Sequence, residues 1–427
     1  MQKYGFYTPK RHPNFIISDL IASAQYFNIP LEFENPDFQI GKNPERNFIT
    51  CFLPSDEDAR KIAQRSTVVE HVSRLMAEAE TLDELLEMAS NVNHDINKGT
   101  FSFRVITHGR KITNEMRRDY ITKAAKSLKI TSKANLKNPD TTILLILDFE
   151  ECGELNPIRL YLSLFISDGN SKFPDKFTLK TRKFINKTSM ESAVALYSAS
   201  QGLCGPGTFA FDPFCGSGSL LVACASLGSY VLGADFDMPS MSQSSTSSVY
   251  ANFQQYGLTE RFLGIAKCDF LSGVYGFEGR PVLDAIVTDP PYGIREKCIA
   301  DGTSPLLPLL LKLYEFAAKA LKVGGRLVFW LPCAYNLDTE KDLPKHPALK
   351  LISNCQQSLM SRYCRHLLTY QKIAEIDAKV EFNAYNASFL HVRDLVFQKA
   401  EGNRGNNRKE KRKFARELKK KLSERKD

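Results

Sequence analysis

The sequence predicts an α/β protein whose larger part is a doubly wound, seven-stranded, mostly parallel sheet, preceded by a smaller α+β region. Three observations carry that reading. The β-branched run Val282-Leu283-Asp284-Ala285-Ile286-Val287-Thr288 stops at Asp289-Pro290-Pro291-Tyr292, and proline cannot continue a ladder, so a buried strand ends there in a rigid loop. Upstream, Thr208-Phe209-Ala210-Phe211 runs into Asp212-Pro213-Phe214-Cys215-Gly216-Ser217-Gly218-Ser219, a strand that breaks into a glycine loop and then a helix. Strand and helix patterns alternate throughout this half, as a parallel sheet requires. In such sheets ligands bind at the C-terminal ends of the strands.

With 427 residues, at roughly 100–200 per domain, the chain holds two or three cores. No apolar run approaches the roughly 20 residues of a membrane span, and Met1-Gln2-Lys3-Tyr4 lacks the apolar segment of a secretory signal. A cytoplasmic protein with no membrane association is expected. The ten cysteines are scattered without a Cys-x-x-Cys pair, which points to reduced thiols and no structural metal. The net charge of +9 is uneven: residues 401–427 hold twelve Lys or Arg against five Asp or Glu. That tail has the composition of a disordered basic extension, which serves solubility or nuclear import as readily as phosphate binding.

Taken in order, residues 14–27 carry a helical stripe and 47–52 a short strand. Ser55-Asp56-Glu57-Asp58 is a capping box, and Thr81-Leu82-Asp83-Glu84 a second one, before a helix with Leu82, Leu85, Leu86 and Ala89. Residues 101–106 alternate as a strand. Met116, Tyr120, Ala124 and Leu128 stripe the next helix, and strands follow at 142–149 and 160–166. No catalytic constellation lies here, so this region reads as a binding region. The polar, basic stretch 167–186 lacks periodicity and reads as a linker, whose Lys180, Arg182 and Lys183 can reach a phosphate backbone.

The second half then gives a helix at 189–199, the strand ending at Asp212, a helix at 219–227, a strand at 230–234, a polar helix at 238–256 and a strand at 262–267. After the strand ending at Thr288 come a helix at 305–321 and a strand at 326–331. Residues 349–354 and 366–372 close the series as an antiparallel pair.

The chemistry lies where these strands end. The glycine loop is neither Gly-x-Gly-x-x-Gly, since Leu221 stands at the third glycine's place, nor a Walker loop. With Asp212 before it and Gly216 and Gly218 permitting close backbone approach, it suits an amino-acid head group such as that of S-adenosyl-L-methionine. Asp235, ending the next strand, can accept two ribose hydroxyls. Asp269, ending the third, stands where an adenine amine needs an acceptor. Each acid singly is more often a cap or surface residue; four acids, with Asp289, closing successive strands make a pattern.

Asp-Pro-Pro-Tyr defines the acceptor. An exocyclic amine on a base is a poor nucleophile because its lone pair is delocalised into the ring. Asp289 and the Pro290 carbonyl can hold its N–H groups so that the lone pair turns toward a methyl donor, while Tyr292 stacks on the base. Catalysis is then orientation plus stabilisation of charge growing on nitrogen, and a base in a duplex must be flipped out or already unpaired.

Two resemblances sharpen this reading. Lys133-Ala134-Asn135-Leu136-Lys137-Asn138-Pro139-Asp140 is by itself a polar turn, but it resembles the signature of the THUMP domain, an RNA-binding module that docks on the ends of transfer RNA. That likeness covers roughly residues 80–166 and makes Lys133 and Lys137 RNA-binding candidates. The glycine loop, Thr288-Asp289-Pro290-Pro291-Tyr292-Gly293-Ile294-Arg295-Glu296 and Gly324-Gly325-Arg326-Leu327-Val328-Phe329-Trp330-Leu331-Pro332 resemble the catalytic subunits of the eukaryotic tRNA (guanine-10-N2)-methyltransferase family. His346-Pro347, Ser353-Asn354-Cys355-Gln356-Gln357 and Asn186-Lys187-Thr188-Ser189-Met190 continue it; Cys215 and Ser217 depart from its usual Val and Thr.

The resemblance implies a ferredoxin-like unit (1–79), a THUMP unit (80–166), a linker (167–186), a class I, Rossmann-like methyltransferase domain (187–400) and a basic tail (401–427). It also implies Phe214, Thr188 and Ser189 beside the cofactor, Arg295 on the RNA, a tRNA substrate, and a small zinc-binding activator subunit as partner in a heterodimer. The apolar stretches 306–311 and 328–331 offer surface for such a partner if they are not core. The alternatives are N6-methylation of adenine in DNA or RNA, glutamine methylation, which usually has Asn in place of Asp289, and a non-catalytic RNA-binding scaffold.

Overall fold

The computed structural model of the chain describes residues 1–376, apart from residues 10, 45, 91–98, 150–155, 272–275, 278, 292–305, 334–336, 338, 340–342 and 361–362. Two compact units divide it, Met1–Lys176 and Phe177–Asp427.

The first unit contains β1 (Gln2–Tyr7), α1 (Ile16–Tyr26), β2 (Glu32–Phe33), β3 (Phe48–Leu53), α2 (Asp56–Arg65), β4 (His71–Ala79), α3 (Leu82–Ser90), β5 (Phe101–His108), α4 (Asn114–Ser127), β6 (Thr141–Asp148) and β7 (Arg159–Asp168). Helices α2 and α4 begin where side chains satisfy orphan N–H groups: Ser55 accepts from the Asp58 amide and Thr113 from the Met116 amide, both at 3.2 Å. One sheet, ordered β2-β3-β1-β4-β7-β6-β5, runs through the unit. Residue 79 is therefore no break in the fold, because β4 ends there while bonded to β1 on one side and β7 on the other.

The second unit contains α5 (Ser192–Gln201), β8 (Phe209–Asp212), α6 (Ser219–Ser226), β9 (Tyr230–Asp235), α7 (Met238–Met241), β10 (Ser242–Ser244), β11 (Ser247–Ser248), α8 (Val249–Tyr256), β12 (Phe262–Lys267), β13 (Leu283–Thr288), α9 (Leu306–Ala320), β14 (Leu321–Cys333), β15 (Leu349–Met360) and β16 (Tyr363–Lys372). Its main sheet is ordered β12-β9-β8-β13-β14-β16-β15. The first five strands are parallel, and β16 runs antiparallel to both β14 and β15. This is the strand order of a class I methyltransferase sheet, with the switch point between β8 and β13. The apolar run expected as a buried strand is one: Leu283, Ala285, Ile286 and Val287 are buried at the sheet's centre, Leu283 and Ile286 in one core with α9.

Three expectations change. Residues 238–256 are not one helix: a single turn, a small hairpin of β10 and β11 and then α8 replace it. The serines between 240 and 248 explain the break, because their hydroxyls bond nearby backbone, Ser240 to the Asp237 carbonyl and Ser248 to the Ala251 amide, in competition with the helix. The stretch 177–186, expected as linker, belongs to the second unit. Of the apolar stretches 306–311 and 328–331, Leu309, Leu310 and residues 328–331 are almost fully buried core, whereas Pro308 is exposed and Leu311 half-buried; the side chains of 306 and 307 lie outside the described residues. No helix among the described residues is long and apolar enough to cross a membrane.

Because the Ser248 hydroxyl caps α8, Ser248→Ala is expected to lower stability by about 1 kcal/mol, read as a fall in the denaturant midpoint at unchanged slope. An unchanged midpoint would mean that the hairpin, not the cap, starts this helix.

Candidate active site

Asp212 closes β8 with its carboxylate buried, at 2% exposure. Its Oδ1 accepts from Thr288 Oγ1 at 2.6 Å and from the Phe214 amide at 3.0 Å. Burial pushes its carboxyl up to about 7; the bonds from Thr288 and Phe214 pull the other way, and Asp235 and Asp289 push with burial.

The loop after it folds under glycine control. Gly216 (φ +47°) and Gly218 (φ +77°) adopt left-handed backbone that other residues resist. At Gly218 a Cβ would lie 2.7 Å from a Val249 methyl, whereas at Gly216 the nearest atom would be the Asn186 amide nitrogen at 3.5 Å. One glycine is thus demanded by packing, and the other leaves open backbone. The Gly216 amide donates to Asp235 Oδ2 at 2.8 Å, and the Asp237 amide to Asp235 Oδ1 at 3.0 Å. Asp235, at the end of β9, is half-buried, and that burial raises its carboxyl above the ordinary value.

The segment before α5 docks on this loop. Asn186 Oδ1 accepts from the amide and hydroxyl of Thr188 at 3.0 Å each, and Ser189 Oγ lies 2.7 Å from Ser217 Oγ. Thr188 is exposed and Ser189 half-buried. Phe214 packs edge-to-face on Phe270, centroids 5.0 Å apart. Asp269 is exposed just beyond β12, its Oδ1 accepting from the Leu271 amide at 3.0 Å.

Asp289 follows Thr288 directly, so the strand that bonds Asp212 also delivers it to the same edge. Its side chain is 25% exposed, and Oδ2 lies 3.8 Å from a terminal nitrogen of Arg365. Pro290 is buried. Tyr292 and Arg295 lie outside the described residues.

Of the basic residues singled out, Lys133, Lys137 and Lys180 are exposed. The loop carrying the first two is pinned to β5: the Phe101 amide donates to the Lys133 carbonyl at 3.1 Å, and the Asn135 amide to the Phe101 carbonyl at 2.8 Å. Arg182 does not face a polyanion. It is 6% exposed, donating to Ser219 Oγ at 2.8 Å and to the Phe177 carbonyl at 2.9 Å. A buried guanidinium whose two terminal nitrogens both donate within the fold is a structural staple.

Sequence reasoning missed Asn186, Thr288 and Arg365. Thr288 had a usable signal, a lone hydroxyl ending an apolar strand; Arg365 had none, since its partners come from other strands. No cluster of three metal-ligating side chains occurs among the described residues.

A family model described as the Tmrp11 THUMP N-terminal domain matches residues 3–171. The tRNA (guanine(10)-N(2))-methyltransferase TRMT11 of Dictyostelium discoideum is 32% identical over 92% of this chain and 86% of its own length. The Homo sapiens protein of the same name is 29% identical over 90% of this chain and 91% of its own length. Among solved structures, TrmN from Thermus thermophilus is similar, at 17% identity and a TM-score of 0.40, over 87% of this chain and 100% of that one.

Folded Asp212 holds its proton up to about pH 7, against an ordinary value of 3.8. Between those limits the folded state binds more protons than the unfolded one, so this group makes stability fall as pH rises. Asp212→Asn should remove that slope and exceed wild type in stability at pH 8, measured by urea unfolding across pH 4–8. A slope identical in the two proteins would assign the titration to another group.

Proposed function

The chain belongs to the tRNA (guanine(10)-N(2))-methyltransferase family, and from that premise we propose that it methylates the exocyclic N2 amine of guanosine 10 in tRNA, using S-adenosyl-L-methionine. The observation that carries the reading is the meeting of Asp212, Asp235 and Asp289 at the ends of the adjacent parallel strands β8, β9 and β13.

The residues fit the cofactor. A carboxyl buried and raised to about 7 is returned to its charged form by a cation such as an ammonium, which gives Asp212 its use. Open backbone at Gly216 admits a ligand that any side chain there would crowd. Asp235 receives one backbone N–H on each oxygen and keeps acceptor capacity for two ribose hydroxyls. Asp269 serves the adenine amine, and Phe214, Gly218, Thr188 and Ser189 border the same loop. When bound, the cofactor supplies an electrophilic methyl on a sulfonium.

The chain's own part is to orient and hold. Asp289 and the Pro290 carbonyl accept the two N–H groups of the target amine, turning its lone pair toward the methyl. Asp289 then offsets the positive charge that appears on nitrogen as the methyl–sulfur bond breaks, until one N–H proton is released to water. Tyr292 stacks on the displaced base. The first unit binds the tRNA body, with Lys133 and Lys137 on phosphates; Lys180 and Arg295 extend that contact on the second unit.

We further propose a small zinc-binding activator as partner and a cytoplasmic setting. Supporting the partner, β12 closes the sheet at one edge, and Leu263, Tyr250 and Tyr230 beside it are exposed by 55, 47 and 42%. Such a margin is one that a partner strand can extend.

Mass spectrometry of tRNA nucleosides after incubation with methyl-labelled cofactor tests the reaction: N2-methylguanosine at position 10 is expected, and label on adenosine would overturn it. Asp289→Asn should lower kcat by about 10²–10³, the scale of losing one preorganised electrostatic contact, with little change in tRNA or cofactor affinity. Single-turnover rates beside binding isotherms decide this; normal chemistry in that variant removes Asp289 from the role. Asp235→Ala should abolish measurable cofactor binding in calorimetry, since it loses two charge-assisted bonds, and affinity within threefold of wild type would reassign the ribose site.

A further inference from the structure

We infer that Arg365 is a positioning residue for Asp289, holding the carboxylate paired and aligned for the amine. β16 runs against the parallel strands, so its first residues, not its last, reach the edge where β13 ends. There Arg365 is held on several sides. Its guanidinium lies over the Trp330 ring, 4.2 Å from the centroid. That indole, fully buried, is fixed by its Nε1 donating to Ser198 Oγ of α5 at 2.9 Å. From β15, Gln357 Oε1 accepts from Arg365 Nε at 2.6 Å. The side chain is only 17% exposed, and its terminal nitrogen faces Asp289 Oδ2 at 3.8 Å.

A surface arginine tethered to a carboxylate would need none of this. Side chains from β14, β15 and α5 converge here to fix one cation, and the anion it faces is the acid at the end of β13. At 3.8 Å the contact is an ion pair, not a direct hydrogen bond, so it acts by charge and alignment. The need is specific to this edge. Asp212 and Asp235 close the neighbouring strands, and Asp289 already adds to the upward push on the Asp212 carboxyl. Like charges gathered in a half-buried cleft favour protonation, and a protonated Asp289 would lose the charge that the reaction draws on. Arg365 is a countercharge to Asp289 among the described residues, and its planar face, stacked on Trp330, fixes direction as a lysine would not.

The inference rests on the role proposed for Asp289, and a double-mutant cycle separates the two. Full-length chains carrying Arg365→Gln, Asp289→Asn or both are assayed in single turnover with tRNA containing guanosine 10 and labelled S-adenosyl-L-methionine. Arg365→Gln should lower the rate about tenfold with tRNA and cofactor dissociation constants within twofold of wild type, and move the acid limb of the rate–pH profile upward. Arg365→Lys should lie between. The double variant should be no slower than Asp289→Asn, because a residue acting through Asp289 has nothing left to position. Additive losses would overturn the inference, as would a raised KM for tRNA at unchanged kcat, which marks a phosphate anchor. A wild-type rate in Asp289→Asn alone would instead overturn the reading of Asp289. Fluorescence of Trp330, the single tryptophan, reports whether the site is intact; if Arg365→Gln disturbs it, the same cycle is read with Arg365→Lys.

Discussion

The buried bond from Thr288 Oγ1 to Asp212 Oδ1, 2.6 Å long, fastens the two wings of the doubly wound sheet at the point where they part. β8 and β13 share only two register pairs, Ala285 with Ala210 and Ile286 with Phe211. Beyond them the backbones are free to diverge, as a ligand crevice requires. The side-chain bond holds the strand ends together across that opening. It sets the distance between the acid that begins the glycine loop and Asp289, one residue further on.

Around that fastening the glycine loop is held from outside. Asn252 of α8 donates to the carbonyls of Phe184 and Ser217 and accepts from the Phe184 amide, at 2.8, 3.3 and 2.9 Å. Arg182 reaches Ser219 from the same incoming segment. Residues 177–190 thus form a strap over the loop and the start of α6, tied by buried polar groups to α6 and α8, with Arg182 also bonding the Phe177 carbonyl within the strap. Satisfied in this way, such groups stiffen a site; left unpaired they would destabilise it. The loop can therefore present open backbone at Gly216 without being mobile for want of contacts.

Much of this was legible in the chain. Period-two and period-3.6 patterns located every strand of the second unit's main sheet and most helices of both units, and the runs ending at Asp212, Asp235 and Asp289 marked the C-terminal edge of that sheet; β1, β2 and β4 of the first unit went unread. Where local rules competed, the reading failed. The serines between 240 and 248 are compatible with a helix by hydropathy, yet their hydroxyls bond the backbone and break it. Basic residues such as Arg182 look alike in sequence whether they meet solvent or, as here, a buried carbonyl and hydroxyl.

In the second unit's main sheet the sequence by itself determined the order of the strands along the chain, where each parallel strand stops, and which acids stand at those stops, because these follow from propensity and periodicity within a few residues. The tertiary structure alone decided which of the polar groups meet. The partners of Asp212 and Asp289 come from strands far apart in the chain, 76 residues in the case of Thr288. Their meeting depends on the strand order β8-β13-β14-β16 and on the reversal of β16. Local patterning is blind to that order, since every strand in the sheet's interior carries the same apolar signature.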